Sequence, residues 1–322
     1  MHKKTLKLIL AVSLIIMLIS GCVGGSGQRV ARLVLYTPTL VSVAAAPLAT
    51  QTPLKPSVFT STPMINPTAV VTSTPENSPT PDFTPTPEFT PTWSFHPAGS
   101  VIAPILLYHR VSDGTASRYR LSPAVFRQQM AKLAEWGYTS ITISQLVDAV
   151  ATGSKLPAKP VVISFDDGYR DLYEVVFPIM QEYGFVGTAY IIVRTLDTQG
   201  EIQSDELKEM TAAGWEIGSH SYSHNILEKS TLGFQKEFEG SKQVLEEKLG
   251  VKVRTFSYPY GDAAYSIRRL AAKYGYDAAV GLGTFYEHTS ADLYYLSRIE
   301  IQSDYDLGKF ASLLPWSSSV GP

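Results

Sequence analysis

The stretch Val161-Val162-Ile163-Ser164-Phe165-Asp166-Asp167-Gly168 is an apolar run of strand length that ends in two adjacent carboxylates and a glycine. Such a run is typical of a β-strand, and the glycine frees the turn that follows. Neighbouring carboxylates in a buried setting repel each other, so the pair predicts a bound cation or a proton. One carboxylate could then ligate a metal while the other serves as a base; an exposed Asp-Asp-Gly turn is the alternative interpretation.

Strand-like and helix-like patterns alternate on either side of this stretch, which predicts parallel βα units. An apolar run covers residues 102–108, and Ser122-Pro123 then opens a helical pattern. Serine is a good N-cap, and proline is favoured at the first helical position. Seven or eight such units predict a (β/α) barrel, in which the chemistry lies at the C-terminal ends of the strands.

A histidine pair, His220-Ser221-Tyr222-Ser223-His224, follows another strand-like segment. Two imidazoles and one carboxylate are a common catalytic zinc set that leaves a position open for water. The pattern therefore predicts that His220 and His224 bind a metal together with a carboxylate of the Asp-Asp pair. Two unrelated hydrogen-bonding histidines are the alternative.

Two further strand ends carry candidate residues. The turn Ser257-Tyr258-Pro259-Tyr260-Gly261 can present a backbone N–H and aromatic walls against which sugar rings pack, so we expect Tyr258 and Pro259 to contact substrate. A purely structural βα turn is the alternative. The end of the first strand carries His109, which by itself is as consistent with a structural histidine.

The first 22 residues have the pattern of a signal peptide. Three lysines precede an apolar run over residues 8–19, which is short for a transmembrane helix of about 20 apolar residues. The sequence Leu18-Ile19-Ser20-Gly21-Cys22 resembles the lipobox of bacterial lipoproteins, which implies lipidation of Cys22 and anchoring at the extracellular face of the cell membrane. An ordinary signal peptide with an incidental cysteine is the alternative.

Residues 23–97 are rich in Thr-Pro pairs and predict a disordered linker. Proline fixes φ and removes a backbone donor, and the segment cannot bury enough apolar surface to offset its ordering entropy. Such a linker would hold the domain predicted over residues 98–322 away from the membrane. That domain is large enough for one substantial core.

The composition narrows the possible partners. The formal net charge is -2 and charged residues make up 17% of the chain. This argues against nucleic acid, because phosphate contacts supply much of a nucleic-acid binder's affinity. The single cysteine excludes a disulfide within the chain.

Together, Phe165-Asp166-Asp167-Gly168, the His220/His224 pair and Tyr258-Pro259-Tyr260-Gly261 resemble the NodB-homology polysaccharide deacetylases, carbohydrate esterase family 4. The resemblance covers about residues 102–301. It implies an α/β fold, a distorted (β/α)7 TIM-like barrel, and a metal-dependent enzyme that removes N-acetyl groups from an N-acetylglucosamine-containing polysaccharide. The opening Pro104-Ile105-Leu106-Leu107-Tyr108-His109 resembles the branch that acts on poly-N-acetylglucosamine.

The resemblance also implies a role for each matching residue. It makes Asp166 the general base, Asp167, His220 and His224 the metal ligands, and the Tyr260 backbone N–H an oxyanion donor. Zn²⁺ suits these ligands, and Co²⁺, Ni²⁺ and Mn²⁺ are compatible with them.

Two departures from the family pattern matter. Most members carry an arginine where Ser257 stands, and that arginine braces the base; Arg298 is the candidate to replace it or to contact substrate. Most members also carry a late Leu-x-His motif that supplies the acid, and this chain has no match, so His109 becomes the candidate general acid.

Three other interpretations stay open: a non-catalytic carbohydrate-binding domain on the same fold, another metal-dependent amide hydrolase, and a structural cell-wall protein.

Overall fold

The computed structural model describes residues 91–261 and 263–317, and the structural statements below concern these residues. The predicted signal peptide, the lipidation site Cys22 and most of the predicted linker lie outside the described residues. Within the described ranges, no helix combines the length and apolar character needed to cross a membrane.

The secondary structure alternates between strands and helices, as the sequence predicts. The strands are β1 (Trp93–His96), β2 (Val101–Ile102), β3 (Ile105–Tyr108), β4 (Arg110–Val111), β5 (Arg120–Leu121), β6 (Thr139–Ile141), β7 (Ser154–Pro157), β8 (Pro160–Phe165), β9 (Thr188–Ile191), β10 (Glu216–Ser219), β11 (Thr255–Ser257), β12 (Ala278–Val280), β13 (Glu287–His288) and β14 (Ile299–Glu300). The helices are α1 (Pro123–Glu135), α2 (Ile143–Thr152), α3 (Phe177–Glu182), α4 (Ser204–Ala212), α5 (Gly233–Gln235), α6 (Ser241–Leu249), α7 (Tyr265–Lys273) and α8 (Leu307–Ser312).

The central sheet has the strand order β12-β11-β10-β9-β8-β3-β14, with β6 paired to the first half of β8. All of its pairings are parallel. Leu296 forms a parallel bridge to Val280 of β12, and β14, a few residues later, pairs with β3. The segment from Leu296 to Glu300 therefore joins the two ends of the sheet, and the predicted distorted (β/α)7 barrel is confirmed.

The side chains of β8 alternate between two buried layers, as the period of a strand requires. Val161, Ile163 and Phe165 pack in the outer layer beneath the helices, while Val162 packs with strand residues inside the barrel. Asp166 continues the inward-facing series at the C-terminal end of the strand. This alternation places one carboxylate of the Asp-Asp pair inside the barrel mouth.

Local signals in the sequence set the helix starts. The Ser122 hydroxyl accepts a hydrogen bond from the Val125 N–H at the start of α1, as predicted. Helix α2 begins slightly earlier than the predicted start at Ser144, because Thr142 and Gln145 form a reciprocal capping box.

Three boundaries differ from the predictions. Strand β1 pairs antiparallel with β7, although it lies in the range predicted as linker, so the ordered domain begins before residue 98. The predicted strand over residues 102–108 is divided: β2 pairs with β13, and only β3 joins the central sheet, because Pro104 has no N–H for a ladder. The predicted long helix ending at Leu249 contains a π-helical turn, Lys236–Gly240, before α6.

Candidate metal centre and catalytic cavity

A cavity of about 590 Å³ lies at the C-terminal ends of the central strands. Seven of the nine predicted site residues that the structure describes line this cavity: His109, Asp166, Asp167, His220, His224, Tyr260 and Arg298. They come from five separate strand ends or loops of the barrel. The fold therefore gathers most of the motifs that the sequence places far apart.

Asp167, His220 and His224 form a compact ligand set. One carboxylate oxygen and one ring nitrogen from each histidine lie within 4.8 Å of one another. The Asp167 Oδ1 atom is 3.6 Å from His220 Nε2 and 3.5 Å from His224 Nε2. Asp167 and His224 have φ angles of 78° and 59°, which few residues other than glycine adopt. Such strained conformations are typical of functional sites.

The chemistry of this ligand set fits a divalent cation. The His220 Nδ1 atom lies 2.9 Å from the Ser257 carbonyl oxygen, which only accepts, so Nδ1 carries the proton and Nε2 keeps its lone pair toward Asp167. Burial lowers the pKa of His220 to about 4, so the ring is neutral at neutral pH, as a ligand must be. Burial and the charge of Asp166 raise the pKa of Asp167 to about 6, and a cation would offset both effects.

Asp166 lies beside the ligand set and is almost completely buried. Burial by itself would raise its pKa, but the opposing charge of Arg298, assisted by His220, outweighs burial and holds the pKa of Asp166 well below its usual range. The Ser257 hydroxyl donates a further hydrogen bond of 3.0 Å to Asp166 Oδ2. Asp166 is therefore an ionised carboxylate at the cavity wall, able to accept a proton.

Arg298 lies directly before β14, and its side chain is fully buried. Its Nη1 and Nη2 atoms donate to the two Asp166 oxygens, Nη2 also donates to Ser257 Oγ at 2.8 Å, and Nε donates to the Gly281 carbonyl at 3.2 Å. The predicted contact between Arg298 and substrate stays a prediction: Arg298 lines the cavity, and each of its guanidinium nitrogens already donates to a protein acceptor. The alternative prediction, that Arg298 braces Asp166, agrees with this geometry.

Tyr258 and Pro259, in contrast, do not line the cavity, so the structure contradicts their predicted substrate contacts. Both are buried, and the Tyr258 hydroxyl donates to the Tyr294 carbonyl at 3.0 Å. The reason is the period of the strand: Ser257 faces Asp166 inside the barrel, so Tyr258 faces the outer layer. Tyr260 is the aromatic residue at the cavity, 60% exposed, with its ring centroid 4.8 Å from that of His224.

His109 lines the same cavity as the histidine pair. Its Nδ1 atom is buried, and none of the described residues offers it a hydrogen-bond partner. The ring packs against Tyr119, with centroids 4.9 Å apart. The packing therefore holds the imidazole in place at the cavity wall.

Sequence reasoning missed several residues of the site. Arg118, Tyr119 and Tyr169 line the cavity, and Arg118 pairs with Glu300. The segment around Tyr119 could have been found, because it follows β3 and so lies at the C-terminal ends of the barrel strands, where chemistry is expected.

Glu237 is a further residue that sequence reasoning missed, and it organises the corner between the two histidines. Its buried carboxylate accepts hydrogen bonds from the N–H groups of Tyr222 and Ser223, at 3.1 and 3.0 Å, and from the hydroxyls of Ser223 and Ser230. No local pattern marks this role, because the helical residue lies 13 positions beyond His224.

Comparisons with known proteins agree with this geometry. Residues 153–279 match the family model described as polysaccharide deacetylase. YxkH of Bacillus subtilis (strain 168), a protein assigned to the polysaccharide deacetylases, is 28% identical over 199 residues, which cover 62% of this chain and 71% of that protein. A poly-beta-1,6-N-acetyl-D-glucosamine N-deacetylase of Staphylococcus aureus is 26% identical over 217 residues, covering 62% and 73%.

Solved structures show the same architecture. BC0361, a polysaccharide deacetylase from Bacillus cereus, superposes with a TM-score of 0.60 at 28% identity, covering 66% of this chain and 69% of that chain. IcaB from Ammonifex degensii shares the fold, with a TM-score of 0.57 at 24% identity and coverage of 69% and 99%.

Proposed function

On the premise that this chain belongs to the polysaccharide deacetylase family, we propose that it removes N-acetyl groups from an N-acetylglucosamine-containing polysaccharide in a metal-dependent reaction. The observation that carries the proposal is the position of an ionised, braced Asp166 beside the Asp167–His220–His224 set. A base next to a metal site can activate water for the hydrolysis of an unreactive amide.

The metal site is assigned to Asp167, His220 and His224. Zn²⁺ is the first expectation, and Co²⁺, Ni²⁺ and Mn²⁺ suit the same ligands. A divalent cation held there supplies Lewis acidity toward the acetamide carbonyl and toward a water molecule. Three protein ligands would leave a coordination position for water or substrate.

Asp166 is the proposed general base. Its carboxylate takes the proton of the attacking water, a contribution of about 10²–10⁴-fold to the rate. The two hydrogen bonds from Arg298 fix the direction of the carboxylate and keep it ionised. Arg298 is thus a positioning residue that acts through Asp166.

His109 is the proposed general acid, and Tyr260 the proposed oxyanion donor. The imidazole lines the same cavity as Asp166 and the proposed metal ligands, where a ring nitrogen can protonate the leaving amine of glucosamine. The Tyr260 backbone adopts φ 63° at the cavity rim, beside His224. From there its N–H can stabilise charge that develops on the carbonyl oxygen.

The proposed location is the extracellular face of the bacterial cell membrane. The lipobox-like sequence ending at Cys22 supports a lipid anchor, and the Thr/Pro-rich segment supports a spacer that gives the domain reach. A polysaccharide substrate at the cell surface or in the extracellular matrix is consistent with that location.

The test is acetate release from N-acetylglucosamine oligomers by the purified protein, with chelator and after addition of Zn²⁺. We expect release that chelator abolishes and metal restores. A metal-loaded protein that releases no acetate from any oligomer would refute the proposal and favour a binding domain or another amide substrate.

A further inference from the structure

A second depression, of about 1440 Å³, lies between helix α7 and the segment formed by residues 282–297. It contains none of the proposed catalytic or metal-binding residues. Leu282 lines both this groove and the catalytic cavity, so the two are adjacent. We call this depression the lateral groove.

Exposed aromatic side chains are concentrated along the lateral groove and the catalytic cavity. Six of the twelve large apolar side chains that are exposed among the described residues line one or both of them: Tyr119, Tyr260, Tyr265, Leu282, Phe285 and Tyr286. Single exposed apolar residues are normal, but a continuous exposed patch marks a binding surface. Tyr265 and Phe285, at 78% and 75% exposure, are the most exposed of all twelve.

The segment that carries Phe285 and Tyr286 is held by neighbouring residues. The Phe285 N–H donates to Ser297 Oγ at 3.1 Å, and the Tyr286 carbonyl accepts from the Ala103 N–H at 2.7 Å. The aromatic rings are therefore presented on a fixed backbone. Ordering such a surface in advance reduces the entropy lost on binding.

Polar groups alternate with these rings along the lateral groove. Arg269 and Lys273 project from α7, and Asp292 and Thr289 lie on the opposite wall. A membrane-binding or core-like interface would be more uniformly apolar, whereas a sugar ring needs an aromatic face and nearby hydrogen-bonding groups. The mixture therefore fits a glycan better than a lipid or an apolar protein surface.

We propose that the lateral groove binds the polysaccharide strand beyond the sugar unit that undergoes reaction, so the enzyme acts on polymer and discriminates against short oligomers. This inference rests on the proposed function and deepens it. Binding energy from remote sugar units positions the reacting acetamide, because remote contacts orient a substrate without changing the chemistry itself. Tyr265 and Phe285 are the principal stacking platforms.

The test compares the full-length protein with the double variant Tyr265→Ala/Phe285→Ala. We expect kcat/KM for acetate release from an N-acetylglucosamine hexamer to fall about tenfold, the effect of losing about 1.4 kcal/mol of binding. The value for the dimer should not change, because the proposal assigns to the lateral groove only sugar units that a dimer lacks. Phe95→Ala is the matched control, because Phe95 is 68% exposed and lies outside both cavities.

Hexamer binding to the chelator-treated protein, measured by calorimetry, separates this inference from the catalytic proposal. Weaker binding by the double variant, with normal binding by Phe95→Ala, supports the groove even if no acetate is released. Unchanged hexamer binding, or equal loss of kcat/KM on dimer and hexamer, would overturn it. The proposal would also be overturned if the wild-type protein dimerised or bound lipid vesicles and the double variant did not. Either result would assign the surface to a second copy of the protein or to lipid.

Discussion

Arg298 donates one hydrogen bond to each carboxylate oxygen of Asp166, and both bonds are 2.7 Å long. The two residues are 132 positions apart in the chain, and both are buried. This pair agrees with the prediction that Arg298, in place of an arginine at position 257, braces Asp166. The Ser257 hydroxyl contacts both members of the pair, so the smaller residue leaves room for the guanidinium and still takes part.

Replacement of Arg298 by Met should abolish most activity and destabilise the domain by about 3–5 kcal/mol, because it leaves a buried carboxylate without a partner. Denaturant unfolding measures the stability, and acetate release measures the activity. Arg298→Lys should also lose activity, since an ammonium cannot reproduce the two-point contact. Arg127→Gln, which removes only a surface pair with Glu182, is the control and should behave as wild type. A fully active Arg298→Met enzyme would contradict the bracing role.

Asp166→Asn should reduce kcat by about 10²–10⁴-fold while the protein still binds metal, because the amide cannot accept the proton of water. Metal content by mass spectrometry and single-turnover kinetics measure the two properties. The control is Asp304→Asn, which changes an exposed carboxylate away from the cavity. Turnover near the wild-type rate would remove Asp166 as the base.

His220→Ala should empty the metal site, because it removes one of three ligands and the ring that Ser257 orients. We expect metal stoichiometry and activity to fall together. His96→Ala tests specificity, since His96 lies on β1 and outside the cavity. A His220→Ala protein that remains fully loaded would exclude His220 as a ligand.

Glu237→Gln should weaken metal affinity or activity by about 10–100-fold, the usual cost of losing a residue that orients the ligands. The charge of Glu237 holds two N–H groups and the Ser223 hydroxyl between His220 and His224, together with the Ser230 hydroxyl, and an amide satisfies them less well. A competition assay with a chromogenic chelator measures the affinity. Glu239→Gln changes a half-buried glutamate of the same turn, which accepts a hydrogen bond from Gln235, and should have no effect; equal affinities for both variants would rule out the positioning role.

Cys22→Ala should move the protein from the membrane fraction to the medium or the soluble fraction, because it removes the site of the acyl chains. Cell fractionation with immunoblotting gives the distribution. Continued partition of the variant into membranes would show that lipidation of Cys22 is not the anchor.

The strand ends could be predicted from sequence because each motif follows an apolar run, and parallel strands bring their C-terminal ends together. Asp166, Asp167, His220 and His224 are found this way, and the structure places all four at the cavity. The predicted substrate contact of Tyr258 was wrong because the prediction assigned both Tyr258 and Pro259 to the site without regard to the direction of their side chains. The alternation of β11 could have corrected it, since Ser257 and Tyr258 must face opposite layers.

The sequence by itself determined the order of the βα units, the strand ends that carry the carboxylates and histidines, and the residue types suited to a metal. These features depend on local periodicity and on donor chemistry, which a linear chain already contains. Only the tertiary structure decided that Arg298 braces Asp166, that Glu237 holds the histidine corner, and that Phe285 and Tyr265 face one groove. Those relationships join residues far apart in the chain, and closure of the barrel sets their distances, which no local pattern encodes.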